Sequence, residues 1–182
     1  MSAMPADDVV SLMTQDHAAV KQRFSAFESA PPASRVELFW ALTEQLVRHE
    51  VAEEIVVYPA VRKLPGGDAL ADERIAEEAE AEEKLAHIEK LDPTTEEFLG
   101  AISDLKAAVL GHAQKEESLV FPLLVKHEDD SHLLLLGQKY KGAKLEAPTH
   151  PHPHTPNSPA ALKMMGPVAN FVDRLRDAAR ST

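Results

Sequence analysis

Apolar side chains recur at alternating intervals of three and four residues in four successive stretches, the spacing that gathers them on one face of a helix. In the first stretch the stripe is Val10, Met13, His17, Val20, Phe24 and Phe27, and in the second Phe39, Leu42, Leu46, His49, Glu53, Val56 and Ala60. A weaker third line runs through Ala76, Ala79, Glu83, His87 and Leu91, and the fourth through Phe98, Ile102, Leu105, Val109, His112, Glu116, Leu119 and Leu123. Pro31-Pro32, Pro65-Gly66-Gly67 and Asp92-Pro93 separate the stretches. Helices stop there because proline has no N–H to donate and glycine gives up too much backbone freedom. Thr94-Thr95-Glu96-Glu97 then supplies capping hydroxyls and first-turn acids, a favourable helix start. Four long amphipathic helices with short connections predict an all-α bundle of antiparallel neighbours.

Beyond Glu128 the pattern changes. A short apolar run, Leu133 to Leu136, is followed by the basic stretch Lys139 to Lys144 and by APTHPHPHTPNSPA, which reads as extended, polyproline-like linker. Within residues 160–180, Leu162, Met165, Val168, Val172 and Leu175 restore a helical spacing. The expected division is a bundle over residues 1–128 and an extension over 129–182, whose terminal amphipathic helix returns to the bundle or joins a second subunit as a homodimer.

Composition narrows the function. At 182 residues with 44% apolar side chains, the chain can fill one core. Thirty acidic against nineteen basic residues give a net charge of −11 with no Lys/Arg cluster, so a polyphosphate is repelled and nucleic acid is not an expected partner. The absence of cysteine excludes disulfides, thiolate ligands and cysteine nucleophiles. The start, MSAMPADDVVSLM, has no basic region followed by an apolar one, and no apolar stretch approaches the ~20 residues of a membrane span. The expectation is a soluble, cytoplasmic protein with no membrane partner.

Nine histidines are the anomaly. His17, His49, His87 and His112 interrupt the apolar stripes, and three of them have a carboxylate one turn away: Glu53, Glu83 and Glu116. Burying ionised carboxylates without a partner costs several kcal/mol each, and no lysine or arginine lies on these lines. Imidazoles and carboxylates converging from four helices form a ligand set for a first-row metal. The donors are too many for one ion and sufficient for two, so a dinuclear iron centre with Glu53 and Glu116 as bridges is the leading hypothesis.

Asp16-His17, the run HEVAEEIVVYP from His49 to Pro59, Glu83-xxx-His87, and the run HAQKEESLVFP from His112 to Pro122 resemble, in order and spacing, the hemerythrin-like (HHE cation-binding) domain, of bacterial type. The resemblance implies an up-down-up-down four-helix bundle with two Fe ions in an oxo- or hydroxo-bridged centre, ligated by His17, His49, Glu53, His87, His112 and Glu116. It also marks a departure, because the oxygen carriers have a second histidine where this chain has Glu83. Three alternatives follow: Glu83 is an additional ligand, the position is open, or Glu50 takes its place. Exchanging an imidazole for a carboxylate stabilises the ferric state, which disfavours reversible dioxygen carriage.

Other residues are given plainer roles. Glu54 and Glu117 are expected to be solvated or to orient ligand histidines. On a straight helix Tyr58 lies opposite His49, which predicts an outer-face or helix-end position unless Pro59 alters the geometry. His150, His152 and His154 are read as linker, and His127 and His132 as exposed. A zinc protease HExxH motif would need histidine at Glu53. The Glu-x-x-His pairs of ferritin-like proteins and phosphate-binding loops are also missing. The resulting expectation is a diiron oxidoreductase detoxifying hydrogen peroxide or nitric oxide in a catalase-like or peroxidase-like manner, with no catalytic residues beyond the metal ligands. The alternative is a sensor of oxygen, nitric oxide or iron that binds without turnover.

Overall fold

The computed structural model describes residues 7–151. His152, His154 and the expected C-terminal helix lie outside them.

Helix α1, Val9–Ser29, begins where the Asp8 carboxylate accepts the Ser11 N–H at 3.0 Å, satisfying one of the first-turn donors. It buries Val9, Met13, His17, Val20, Phe24 and Phe27; Val9 replaces the expected Val10, which is half-buried. A 3-10 turn at Pro32–Ser34 leads into α2, Arg35–Ala52. The rod continues through a π-helical turn, Glu53–Val57, into α3, Tyr58–Val61. Gly66, at φ 78°, and Gly67 then reverse the chain into α4, Gly67–Ile88. A side chain at Gly67 would put Cβ 1.8 Å from the Val61 carbonyl oxygen, so only glycine permits this close turn.

Helix α5, Glu96–Lys115, is capped by Thr95 and runs through a second π-helical turn, Glu116–Val120, into α6, Phe121–His127. Both π turns start at a glutamate of the polar cluster, and a proline follows two residues after each ends. Pro59 and Pro122 have no N–H to give to the carbonyl four residues back, and their rings would strike it. The Tyr58 and Phe121 N–H groups instead bond five residues back, to Glu53 and Glu116. One extra residue per turn advances the buried face by one position. Val120, Phe121 and Leu124 are therefore buried, whereas the expected Leu119 is 50% exposed and Leu123 half-buried.

The four rods form an all-α bundle with no strand among the described residues. One apolar cluster includes Phe24, Phe27, Phe39, Leu46, Leu85, Phe98 and Leu105, and a second includes Met13, Val57, Tyr58, Val61, Val120 and Leu124. The polar cluster sits where they meet: His17 lies between Met13 and Val20 on α1, and His49 between Leu46 and Ala52 on α2.

A fifth element follows the boundary expected at residue 128. Helix α7, Asp130–Glu146, packs on α1, α2 and the first π turn, with Leu133, Leu136 and Tyr140 in the second core cluster. The run Leu133 to Leu136 is thus part of an amphipathic helix rather than the head of a linker. A Cβ on Gly137 would come within 2.1 Å of the Asp7 carbonyl oxygen, a measure of how closely α7 lies against the start of α1. The following segment is also buried as far as Pro151. His150, expected in a linker, stacks obliquely on Trp40 with ring centroids 4.9 Å apart and sets Nδ1 3.0 Å from Glu89. His127 is exposed as expected, while His132 is half-buried and paired with Glu128. No helix among the described residues is long and apolar enough to cross a membrane.

Candidate metal centre

Donor atoms from α1, α2, the two π turns, α4 and α5 meet in two groups. His17, His49, Glu53 and Glu116, all buried, each offer an atom within 4.8 Å of the others, and so do Glu53, Glu78 and His112. Glu53 belongs to both. His17 Nε2 lies 3.1 Å from Glu116 Oε2 and His49 Nε2 3.0 Å from Glu53 Oε1. His112 Nε2 is 3.5 Å from Glu116 Oε2 and 3.7 Å from Glu78 Oε1. Five of the six expected ligand residues are brought together.

The sixth is not. His87 and Glu83 are exposed on α4, whose buried face is Ala71, Arg74, Glu78, Ala81, Leu85 and Ile88. This Ala- and Glu-rich helix has a faint apolar stripe, and a line through Ala76 and Ala79 ends on solvent-facing residues. The line through Leu85 and Ile88 has the same three-and-four spacing with larger aliphatic anchors and leads back to Glu78. It also leads to Arg74, a buried cation that the sequence reading missed, whose guanidinium goes to Glu77 at 2.9 Å.

Each clustered histidine has its other nitrogen held. His17 Nδ1 is 2.9 Å from Glu117, His112 Nδ1 is 3.2 Å from Glu77, and His49 Nδ1 is 2.6 Å from the Tyr140 hydroxyl. Such partners fix ring orientation and leave Nε2 free to act as a donor to a cation. Glu117 therefore orients a histidine while staying half exposed, so it shows both of the roles expected of it. Tyr58 is fully buried and inside the centre, contrary to the outer-face expectation. Its hydroxyl lies 2.6 Å from Glu78 Oε1, 3.0 Å from Glu116 Oε1 and 3.4 Å from His112 Nε2. The extra residue of the π turn rotates it inward by about 100° relative to a straight helix. Phe121, its counterpart after the other π turn, stacks on His17 at 5.6 Å.

Burial, reinforced by the charge of Glu116, pushes the Glu53 carboxyl well above the usual range. Burial and the charge of Glu54 do the same to Glu78. Glu54, buried beside Glu82, is pushed up to about 8. Glu50 is buried against the charges of Glu82, Glu54 and Glu116 and is likewise raised. It lines a small cavity with His17, His49, Glu78 and His112 but belongs to neither donor group. Glu116 goes the other way: burial opposes ionisation, yet the His17 hydrogen bond and the nearby His112 and His49 hold it at about 2.

These residues fit a bound cation. Both oxygens of Glu53 and Oε2 of Glu78 are buried without a hydrogen-bond donor, and His49 Nε2 faces Glu53 outside hydrogen-bonding geometry. Orphaned carboxylate oxygens facing imidazole nitrogens are what a first-row metal ion satisfies, and the mixed N/O donor set suits iron, manganese or zinc.

Residues 8–133 match the hemerythrin HHE cation-binding domain family. The chain belongs to it. Over 135 residues, 73% of this chain and 66% of the relative, it is 33% identical to an uncharacterised hemerythrin-like protein of Schizosaccharomyces pombe. Over 139 residues, 75% of this chain but 39% of the relative, it is 27% identical to a DNA nickase of Nostoc. The chain thus spans less than two thirds of either relative's length. No solved structure matches it. The hemerythrin-type bundle expected from the sequence is the fold observed, and its buried His/Glu cluster lies wholly within the matched region, whereas Tyr140, which bonds His49, is beyond it.

Proposed function

We propose that this hemerythrin-family chain holds two iron ions, one at each donor group, and that the pair reacts with hydrogen peroxide or nitric oxide in a detoxifying, oxidoreductase role. The observation that carries this reading is the sharing of Glu53 between two groups of donors. A carboxylate has two oxygens, so Glu53 would help hold an ion at either position. The first position takes His17, His49, Glu53 and Glu116; the second takes His112, Glu78 and Glu53. When bound, the ions supply Lewis acidity and an Fe(II)/Fe(III) couple.

The protein's own groups do the rest. The Tyr58 hydroxyl is within reach of both Glu78 and Glu116 and can give its one proton to either, so a proton donor stands beside the centre. Val20, Leu46, Ala81 and Val109 line the small cavity at the centre, limiting access to small molecules. Glu78 adds a further carboxylate to the donor set, and hard anionic oxygens favour the ferric state and reaction over reversible dioxygen binding. The net charge of −11 favours neutral small-molecule partners over nucleic acid.

Metal analysis with an ultraviolet–visible spectrum, followed by addition of peroxide or nitric oxide, tests the reading. Two irons per chain with sustained consumption support it, and zinc or no metal overturns it. A second reading, a sensor of oxygen, nitric oxide or iron, draws on the contact of α7 with His49, through which the site could report to the C-terminal extension. Two irons with only a stoichiometric spectral change favour that sensor.

A further inference from the structure

Helix α7 lies almost wholly beyond the region that matches the family, yet it reaches a histidine of the centre. Tyr140 is 1% exposed, and its hydroxyl is 2.6 Å from His49 Nδ1 and 2.7 Å from Asp16 Oδ2. Lys144, one turn further along α7, sets Nζ 2.6 Å from both Asp16 oxygens and 5.6 Å from the centre of the Tyr140 ring. The direction of the chain of bonds follows from charge. Asp16 accepts from Lys144 and cannot donate, so the Tyr140 proton points at Asp16. The phenolic oxygen is then left as the acceptor toward His49, which places the imidazole proton on Nδ1. Nε2 is thereby presented, as a lone pair, to Glu53 and the first donor group.

Resting on the metal reading above, we infer that Tyr140 is a positioning residue of the centre, fixing the tautomer and ring angle of His49, so that metal occupancy and docking of α7 stabilise one another. The coupling is reciprocal by linkage. If docked α7 raises the affinity of the His49 position, a bound ion holds α7 in place by the same factor. Asp16 positions the tyrosine and Lys144 positions Asp16, giving a line from the surface to the ligand. The family's domain supplies His49 and Asp16, and the segment after it supplies the phenol and the ammonium.

The test uses the full chain, stripped of metal and titrated with Co(II), whose visible absorption reports coordination. Wild type is compared with Tyr140→Phe, which deletes only the hydroxyl, and with Asp16→Asn, which keeps its shape but can donate as well as accept. The expected result is a Co(II) affinity lower by about 10–100-fold at one of two positions in Tyr140→Phe, the usual effect of losing a partner that orients a ligand. The absorption bands should change, and Asp16→Asn should move the same way. Amide hydrogen exchange in α7 should slow on Co(II) addition to wild type and respond less in Tyr140→Phe. If Tyr140→Phe melts at a lower temperature but keeps wild-type affinity and spectrum, α7 is only packing and the inference fails. Exchange in wild-type α7 that ignores Co(II) overturns it equally. A wild-type chain that binds no Co(II) overturns the metal reading itself, a result distinct from either.

Discussion

The Tyr58 hydroxyl lies 2.6 Å from Glu78 Oε1 and joins two residues that the helical periodicity places elsewhere. Tyr58 belongs to the outer face of a straight second helix, and Glu78 is off the line drawn through Glu83 and His87. Their meeting is produced by a π turn on one side and a shift of helical face on the other. Replacing Tyr58 by Phe removes the donor and leaves Glu78 and Glu116 short of a hydrogen bond. The metal-free protein should lose about 1–3 kcal/mol of stability, the cost of a buried unsatisfied acceptor. The metal-loaded protein should lose less, because a cation then satisfies the carboxylates. Thermal unfolding of both forms, with and without the substitution, checks the difference.

The third rod offers a direct contest between residues. Glu78→Ala should reduce the metal content by one ion per chain, since His112 and Glu53 alone are a poor second position. His87→Ala and Glu83→Ala should leave it unchanged, because both residues face solvent. Elemental analysis of the three variants decides the question. Loss of metal in His87→Ala with retention in Glu78→Ala would reverse the assignment.

How much of this was legible follows from where the helical repeat is intact. On α1, α2 and α5 the stripes carry large side chains, and His17, His49, Glu53, His112 and Glu116 are found at the positions the spacing indicates. On α4 the stripe is mostly alanine, so a neighbouring line fits nearly as well, and the pair selected, Glu83 and His87, lies on the exposed face. After Glu53 and Glu116 the repeat itself changes. The signal for that change, a proline six residues beyond each glutamate, was visible at Pro59 and Pro122 and reads correctly only as a π turn. Tyr140 could not be found from spacing, since its partner His49 is 91 residues away and the pairing is purely tertiary.

Proton linkage gives a prediction whose sign can be worked out. The Glu54 carboxyl moves from 4.5 in the open chain to about 8 in the folded protein, and Glu50, Glu53 and Glu78 move the same way. An acid with a raised folded value favours the fold while protonated, so this stability is complete below about pH 4.5 and is lost as pH rises towards 8. Glu116, held at about 2, acts oppositely and loses its contribution only as pH falls from 4.5 towards 2. Stability of the metal-free protein should therefore peak near pH 4.5 to 5 and decline towards pH 8. Metal affinity should rise over that same upper interval, because protons compete with the ion for these carboxylates. Chemical unfolding at a series of pH values, with and without metal, tests both directions.

The position of the extension can be tested by shortening it. Ala147 belongs to the core and His150 packs on Trp40, so the chain is integral to the bundle as far as Pro151. Ending it after Pro151 should leave metal content unchanged and the melting temperature within a few degrees of the full chain, because every group named in the centre is retained. Ending it after Glu128 removes α7, uncovers the apolar surface that Leu133 and Leu136 bury and deprives His49 of Tyr140. That shorter chain should bind metal weakly, and its melting temperature should fall well below that of the chain ending at Pro151. Equal metal affinity and stability in the two truncations would show that the domain ends at residue 128 and that α7 is an appendage.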